Sequence, residues 1–242
     1  MKVGLFVTCL VDMMRPSVGF SAIDLLRQAG CEVVVPENQT CCGQPGFNSG
    51  DRESGRTLAK RFVELFEECD YIVAPSGSCT GMIRIHYQDL FPENPSLQQR
   101  INQLAERTFE LTDFLVNVLH IDQVNSEFKG NVTYHDSCSG LRELHIKEQP
   151  RQLLKSITGL TLKEMEQAEL CCGFGGTFSV KLGDIATRMS DNKCRYAQLS
   201  GAEVIVGGDL GCLLNIEGRL RRMGDSTTQV KHVAEILTYK AK

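Results

Sequence analysis

The chain has 242 residues, of which 42% are hydrophobic and 23% charged, and a formal net charge of -4. That balance describes a folded globular protein long enough for a substantial core and excludes a disordered chain. Neither the charge nor any Lys/Arg block supports nucleic-acid binding, and no apolar stretch reaches the length needed for direct membrane insertion.

Taken in chain order, Val3 to Val7 is a short apolar run that predicts a strand ending just before Cys9. Pro16 suits the first turn of a helix carrying Ala22, Leu25, Leu26 and Ala29, which Gly30 ends. Glu32 to Val35 predicts a second strand, with Cys41-Cys42-Gly43 in the loop beyond it. Leu58, Phe62, Leu65, Phe66 and Cys69 then recur at helical spacing, followed by a strand at Tyr71 to Ala74. Gln98 to Leu119 reads as one longer helix, and the polar stretch Asp122 to Gly130 as a linker. Past it, Val132 to His135 predicts a strand, Pro150 marks a helix start, Ser179 to Leu199 forms a long helix and Val204 to Val206 another strand. Strands alternating with amphipathic helices predict an α/β fold with mostly parallel sheets.

The chain repeats itself after about half its length. Val3-Gly-Leu-Phe-Val-Thr-Cys9 corresponds to Val132-Thr-Tyr-His-Asp-Ser-Cys138, and Gln39-Thr-Cys-Cys-Gly43 to Glu169-Leu-Cys-Cys-Gly173. Tyr71-Ile-Val-Ala-Pro-Ser-Gly-Ser-Cys79 corresponds to Val204-Ile-Val-Gly-Gly-Asp-Leu-Gly-Cys212. In the first series 31 residues separate Cys9 from Cys41 and 36 separate Cys42 from Cys79; in the second the gaps are 32 and 39. A period this long marks a duplicated domain-sized unit rather than a solenoid. Two Rossmann-like halves related by an internal pseudo-twofold are therefore expected, spanning residues 1–121 and 131–242. Ligand loops in such sheets gather beyond the carboxyl ends of the strands, so the two Cys-Cys-Gly loops are expected to face one general cleft.

Eight of the eleven cysteines fall in these two series: Cys9, Cys41, Cys42 and Cys79, then Cys138, Cys171, Cys172 and Cys212. The odd total and an opening segment without a cleavage site argue against a secreted disulfide scaffold and for a cytoplasmic protein. Thiolates are soft ligands that suit iron–sulfur clusters or zinc. Four per half would satisfy a [4Fe–4S] cluster, giving one or two per chain, with zinc an option in one half. Adjacent cysteines point apart and so favour a multi-iron group. The glycines that follow can bring backbone amides towards sulfur. Cys31 and Cys69 read as small buried hydrophobes, whereas Cys194, on a helix among polar neighbours, is left open. His135 is a candidate ligand or donor to cluster sulfide, with Asp136 to orient it or cap the next loop; a structural hydrogen-bonding role suits both equally. His86 and Tyr87 read as ordinary helix residues.

These motifs resemble the cysteine-rich CCG-domain proteins over nearly the whole chain. Leu5-Phe-Val-Thr-Cys-Leu-Val-Asp-Met13, Thr40-Cys-Cys-Gly-Gln-Pro-Gly-Phe-Asn-Ser-Gly50 and Cys171-Cys-Gly-Phe-Gly-Gly-Thr-Phe178 are most similar to the family's lactate-utilisation subgroup. The resemblance implies an iron–sulfur electron-transfer subunit of an L-lactate oxidation system that produces pyruvate. It also implies companion lactate-utilisation subunits, one a ferredoxin-like iron–sulfur protein. Other family members serve glycolate oxidase, glycerol-3-phosphate dehydrogenase, succinate-linked complexes and heterodisulfide reductase. The last of these use a Cys-x-x-Cys ending, but Ser76 and Asp209 stand where that extra thiolate would be. The second motif reads Ser137-Cys138-Ser139 where many relatives have Pro-Cys-His.

Three other functions fit the same residues: an iron–sulfur subunit for another 2-hydroxy acid such as glycolate, a structural zinc scaffold, and a thiol–disulfide redox protein. Gly207-Gly-Asp-Leu-Gly211 lacks the glycine spacing of a dinucleotide fingerprint, so a flavin or nicotinamide, if used, belongs to a partner.

Overall fold

The computed structural model describes residues 1–240, which divide into two compact units, Met1–Leu119 and a second that begins at His120. Each unit holds one four-stranded sheet in which every pairing is parallel. In the first, β1 (Lys2–Leu5), β2 (Glu32–Val34), β3 (Tyr71–Ala74) and β4 (Thr108–Glu110) lie in the order β2-β1-β3-β4. In the second, β5 (Glu127–His135), β6 (Thr158–Leu162), β7 (Val204–Gly207) and β8 (Gln229–His232) repeat it as β6-β5-β7-β8. The expected α/β class, parallel sheets and duplicated halves are all present.

This order places the cysteines. After β1 the chain crosses to one side, and from β2 it returns to the other, so the connections leaving β1 and β3 diverge between those strands. Such a switch point opens a crevice at the carboxyl ends of a parallel sheet. Cys9 opens the helix that follows β1, and Cys79 lies in the helix that follows β3. Cys138 and Cys212 hold the same stations after β5 and β7.

The register of the duplication extends to single buried side chains. Val3 pairs with Tyr71 as Val132 pairs with Val204, which sets Gly4 opposite Thr133 and Phe6 opposite His135 in the comparison of the units. The helix Arg52–Phe66 buries Gly55, Ala59, Phe62, Val63 and Phe66. Gly183–Leu199 buries Ala186, Ser190, Lys193, Cys194 and Ala197 at the same spacing. The packing trade is visible at Gly4: a Cβ there would stand 2.8 Å from Phe66 and 2.8 Å from the Cys69 sulfur. At the matching positions the second unit has the larger Thr133 and the smaller Ala197, both buried, so the two positions differ in opposite directions.

Four sequence expectations need correction. The single helix over 98–119 is instead Pro95–Glu106, then β4, then the short helix Leu111–Asp113. Leu104, Thr108, Leu111 and Leu115 keep helical spacing across that break, which disguised the edge strand. The 122–130 linker is shorter, because β5 starts at Glu127. The long helix over 179–199 is two, Thr177–Lys181 and Gly183–Leu199, broken at Leu182 with φ -128 and ψ 51. The stripe on the helix before β3 turns towards Gly55, Ala59 and Val63, leaving Leu58 and Leu65 half-buried.

The last strand of each sheet ends in a side-chain cap. The Glu110 Oε2 accepts from the backbone N–H groups of Thr112 at 2.8 Å and Asp113 at 3.2 Å. His232 Nδ1 accepts from Ala234 N–H at 3.2 Å. Burial raises the Glu110 carboxyl to about 7, against the bonds from Thr112 and Asp113. A carboxyl raised in the folded state contributes stability that is fully present below its unfolded pKa and is lost as pH rises through about 7. The stability of the wild type relative to Glu110→Gln should therefore fall between pH 5 and pH 8, by on the order of 3 kcal/mol. Anaerobic urea unfolding of both proteins at the two pH values checks this; an unchanged difference contradicts it.

Candidate metal centre

Each unit brings its four motif cysteines into one row. In the first, Cys41 lies within hydrogen-bonding reach of Cys9 on one side and Cys42 on the other, and Cys42 reaches Cys79. In the second, Cys171 stands between Cys138 and Cys172, and Cys172 reaches Cys212. All eleven cysteines are free thiols. The row explains its own electrostatics. The Cys42 and Cys9 thiols bonded to Cys41 hold it well below the ordinary thiol range. The thiols of Cys138 and Cys172 do the same for Cys171. The outer thiol Cys9 is pushed up, first by its bond to Cys41 and then by burial.

The Cys-Cys-Gly loops are shaped for backbone approach. Gly43 has φ +86, and its N–H points at the Cys41 sulfur from 3.4 Å. Gly173 repeats both features towards Cys171, and the Phe174 N–H stands 3.5 Å from the Cys172 sulfur. At Gly173 a Cβ would sit 2.5 Å from the Ala186 carbonyl oxygen, so only glycine lets the loop lie this close to the helix. The second cysteine of each pair is fixed through its carbonyl. Tyr87 Oη donates to Cys42 O at 2.9 Å. Ser190 Oγ and Asn215 Nδ2 donate to Cys172 O at 2.7 and 2.9 Å.

Convergent soft donors with inward backbone amides are what an iron–sulfur group requires: thiolate ligands plus dipoles that stabilise its negative charge. Zinc shares the preference for sulfur, so donor chemistry alone fits both. Ser76, in place of the extra thiolate, instead accepts from the Cys79 N–H at 3.3 Å and caps its helix. A cavity of about 360 Å³, lined by Val7, Thr8, Asp12, Gln39 and Thr40, lies against Cys9.

The surroundings of the two rows differ. Behind the first stands an aromatic wall: Phe6 meets Phe62 edge-on at 5.3 Å, and Phe62 meets Tyr87 at 5.7 Å. At the stations of Phe6 and Phe62 the second unit has His135 and Lys193, both fully buried. Lys193 Nζ donates to the carbonyls of Gln167 and Ala168, each at 2.9 Å, which ties down the loop leading to Cys171. Burial lowers Lys193 to about 8, opposed by the Cys172 sulfur and Asp136. Burial also lowers His135 to about 3.

Other sequence expectations resolve individually. Cys31 and Cys69 are buried, as expected of small hydrophobes. Cys194 is buried against Ile216 O, and burial raises its thiol to about 11, the reverse of what a nucleophile needs. Asp136 neither orients His135 nor caps the next loop: its two oxygens accept from Arg151 Nη1 and Nη2, each at 2.8 Å. Tyr87 is more than an ordinary helix residue, since it holds the Cys42 carbonyl. Lys193 escaped sequence reading, although a lysine in register with Phe62 on a buried helical face was a usable signal.

The cysteine-rich domain model (CCG) matches residues 3–84 and again 132–217. Lactate utilization protein A of Bacillus pumilus (strain SAFR-032) is 48% identical over 237 residues, covering 98% of this chain and 99% of its own length. The protein of that name from Bacillus subtilis (strain 168) is 46% identical over 237 residues, with 98% and 99% covered. The one from Halalkalibacterium halodurans is 45% identical over 242 residues, with 100% and 98% covered. Among solved structures, a hypothetical protein from Helicobacter pylori shares the fold with a TM-score of 0.71 at 12% identity. All of this chain is matched there, spanning 50% of the other chain's length. Two thiol rows on two sheets of one topology, each coinciding with a match to the domain model, make this chain a member of the cysteine-rich CCG domain family.

Proposed function

We propose that this chain is an iron–sulfur electron-transfer subunit in L-lactate utilisation, with Cys9, Cys41, Cys42 and Cys79 holding one centre and Cys138, Cys171, Cys172 and Cys212 the other. The observation that carries the reading is the same four-thiol row built twice at the switch point of a parallel sheet. The names of relatives matched along their whole length support the lactate assignment. An iron–sulfur cluster, when bound, accepts and passes on one electron at a time. The chain's residues hold it: thiolates ligate, the amides of Gly43, Gly173 and Phe174 face sulfur, and Tyr87, Ser190 and Asn215 fix the loop carbonyls.

Oxidising lactate to pyruvate removes two electrons and two protons from one carbon and its hydroxyl. That step calls for a hydride or electron-pair acceptor and a base, which this reading assigns to companion subunits. The chain alone, metal-loaded and anaerobic, should therefore not be reduced by L-lactate on the timescale of turnover. Reduction should follow once the companion proteins are added, with glycolate much slower as donor. Stopped-flow absorption measures both. Rapid lactate-dependent bleaching of the isolated chain with pyruvate formed would make it the dehydrogenase itself. A colourless chain with stoichiometric zinc and no acid-labile sulfide would make it a scaffold.

A further inference from the structure

His135 has no use in the protein's own hydrogen bonding. It is 1% exposed, and neither Nδ1 nor Nε2 has a hydrogen-bond partner among the described residues. A buried imidazole with both nitrogens unmet loses the hydration of two polar atoms without replacement. Native structures seldom keep such a group unless something outside the polypeptide meets it.

Its neighbours identify that something. A His135 ring nitrogen and the sulfurs of Cys172 and Cys212 all lie within 4.8 Å of one another, and all three residues are buried. The backbone does not force a histidine here: the first unit has Phe6 at the same station, packed against Phe62 and Phe66 at 5.3 and 5.9 Å. The partner position changed as well, from Phe62 to Lys193. Where the first unit has an aromatic contact, the second buries two nitrogenous side chains beside its thiols.

We propose that the imidazole of His135 is a ligand of the metal group held by Cys138, Cys171, Cys172 and Cys212, so that the second centre has mixed sulfur and nitrogen donors while the first has sulfur alone. The inference rests on the iron–sulfur reading above. A neutral nitrogen donor, with the Lys193 ammonium close by, makes an added electron less costly at the second centre than beside the first unit's aromatic wall. The two centres are therefore unequal in their donor sets.

The test uses the full chain, loaded with iron and sulfide under anaerobic conditions and labelled with ¹⁵N-histidine. Pulsed electron paramagnetic resonance of the reduced protein should show a histidine-nitrogen coupling of the size of a directly bonded nitrogen. The coupling should survive Cys42→Ser, which disables the first centre, and vanish in His135→Phe, which copies the first unit's residue. Of the five histidines in the chain, only this one should affect it. Full iron and sulfide with no histidine coupling in the wild type, or only the weak coupling of a hydrogen-bonded nitrogen, overturns the inference without any variant. A coupling that persists in His135→Phe also overturns it. A wild type that takes up no iron and sulfide fails the iron–sulfur reading itself, and this inference with it.

Discussion

Replacing Cys42 or Cys172 with serine should empty one centre and leave the other filled. Each is an inner member of its row, with a thiol neighbour on both sides, and each is more deeply buried than any other member, at 3% and 1% exposed. The exchange is nearly isosteric, so the polypeptide loses a soft ligand and little packing. Because ligand binding and folding share one free energy, iron and acid-labile sulfide per chain should fall to about half in either single variant and to background in the double. The thermal midpoint of the loaded protein should fall with them, while the metal-free chains unfold in urea within about 1 kcal/mol of wild type. Cys69→Ser serves as the control, a buried thiol outside both rows that should keep the full iron content. Retention of all iron and sulfide by the Cys42/Cys172 double variant would remove these residues from the site.

How much of this was legible in the sequence depended on what each residue had to do. The convergence of each four-cysteine series could be read directly, because one residue type recurs at spacings fixed by strand and helix lengths. The strands that lead to Cys9, Cys79, Cys138 and Cys212 were legible because their buried ends appear as apolar runs. Of the four edge strands only β2 was legible, as the run from Glu32 to Val35. In β4 the segment Thr108-Phe-Glu110 alternates too briefly, and neighbouring leucines keep helical spacing; β6 and β8 are similarly short and half-exposed. Side-chain partnerships were the least legible. Asp136 stands beside His135 in sequence, but on a strand adjacent side chains face opposite ways, and Asp136 turns to Arg151. The contrast between Phe6/Phe62 and His135/Lys193 needed the register of both sheets and both helices before four residues lined up as two pairs.

That turn of Asp136 makes the second large effect predictable. Asp136→Ala should destabilise the second unit by about 3–5 kcal/mol, as expected when a buried ion pair loses one partner. The Arg151 side chain is 7% exposed and that of Asp136 0%, so the pair is taken out of bulk water together. Arg151 keeps Glu164, at 2.7 Å, but that side chain is 47% exposed and offers a screened charge. The guanidinium also lies over the Tyr134 ring at 5.2 Å and donates to Lys147 O at 2.7 Å, which holds it where the missing carboxylate would leave it unpaired. Replacing both members with apolar residues of similar size, Asp136→Leu with Arg151→Met, should recover much of the loss, because the cost comes from the stranded charge rather than from a missing attraction. The consequence reaches the metal site through the chain. Asp136 lies two residues before Cys138, and its N–H donates to Ala168 O at 3.3 Å, on the loop that leads to Cys171 and is held by Lys193. Iron release to a chelator should therefore become biphasic in Asp136→Ala, with the second unit emptying faster and the first unchanged. Urea unfolding of Asp136→Leu, Arg151→Met and their double variant measures the coupling. Additive losses, or equal acceleration of iron release from both units, would show that this ion pair does not support the Cys138 and Cys171 loops.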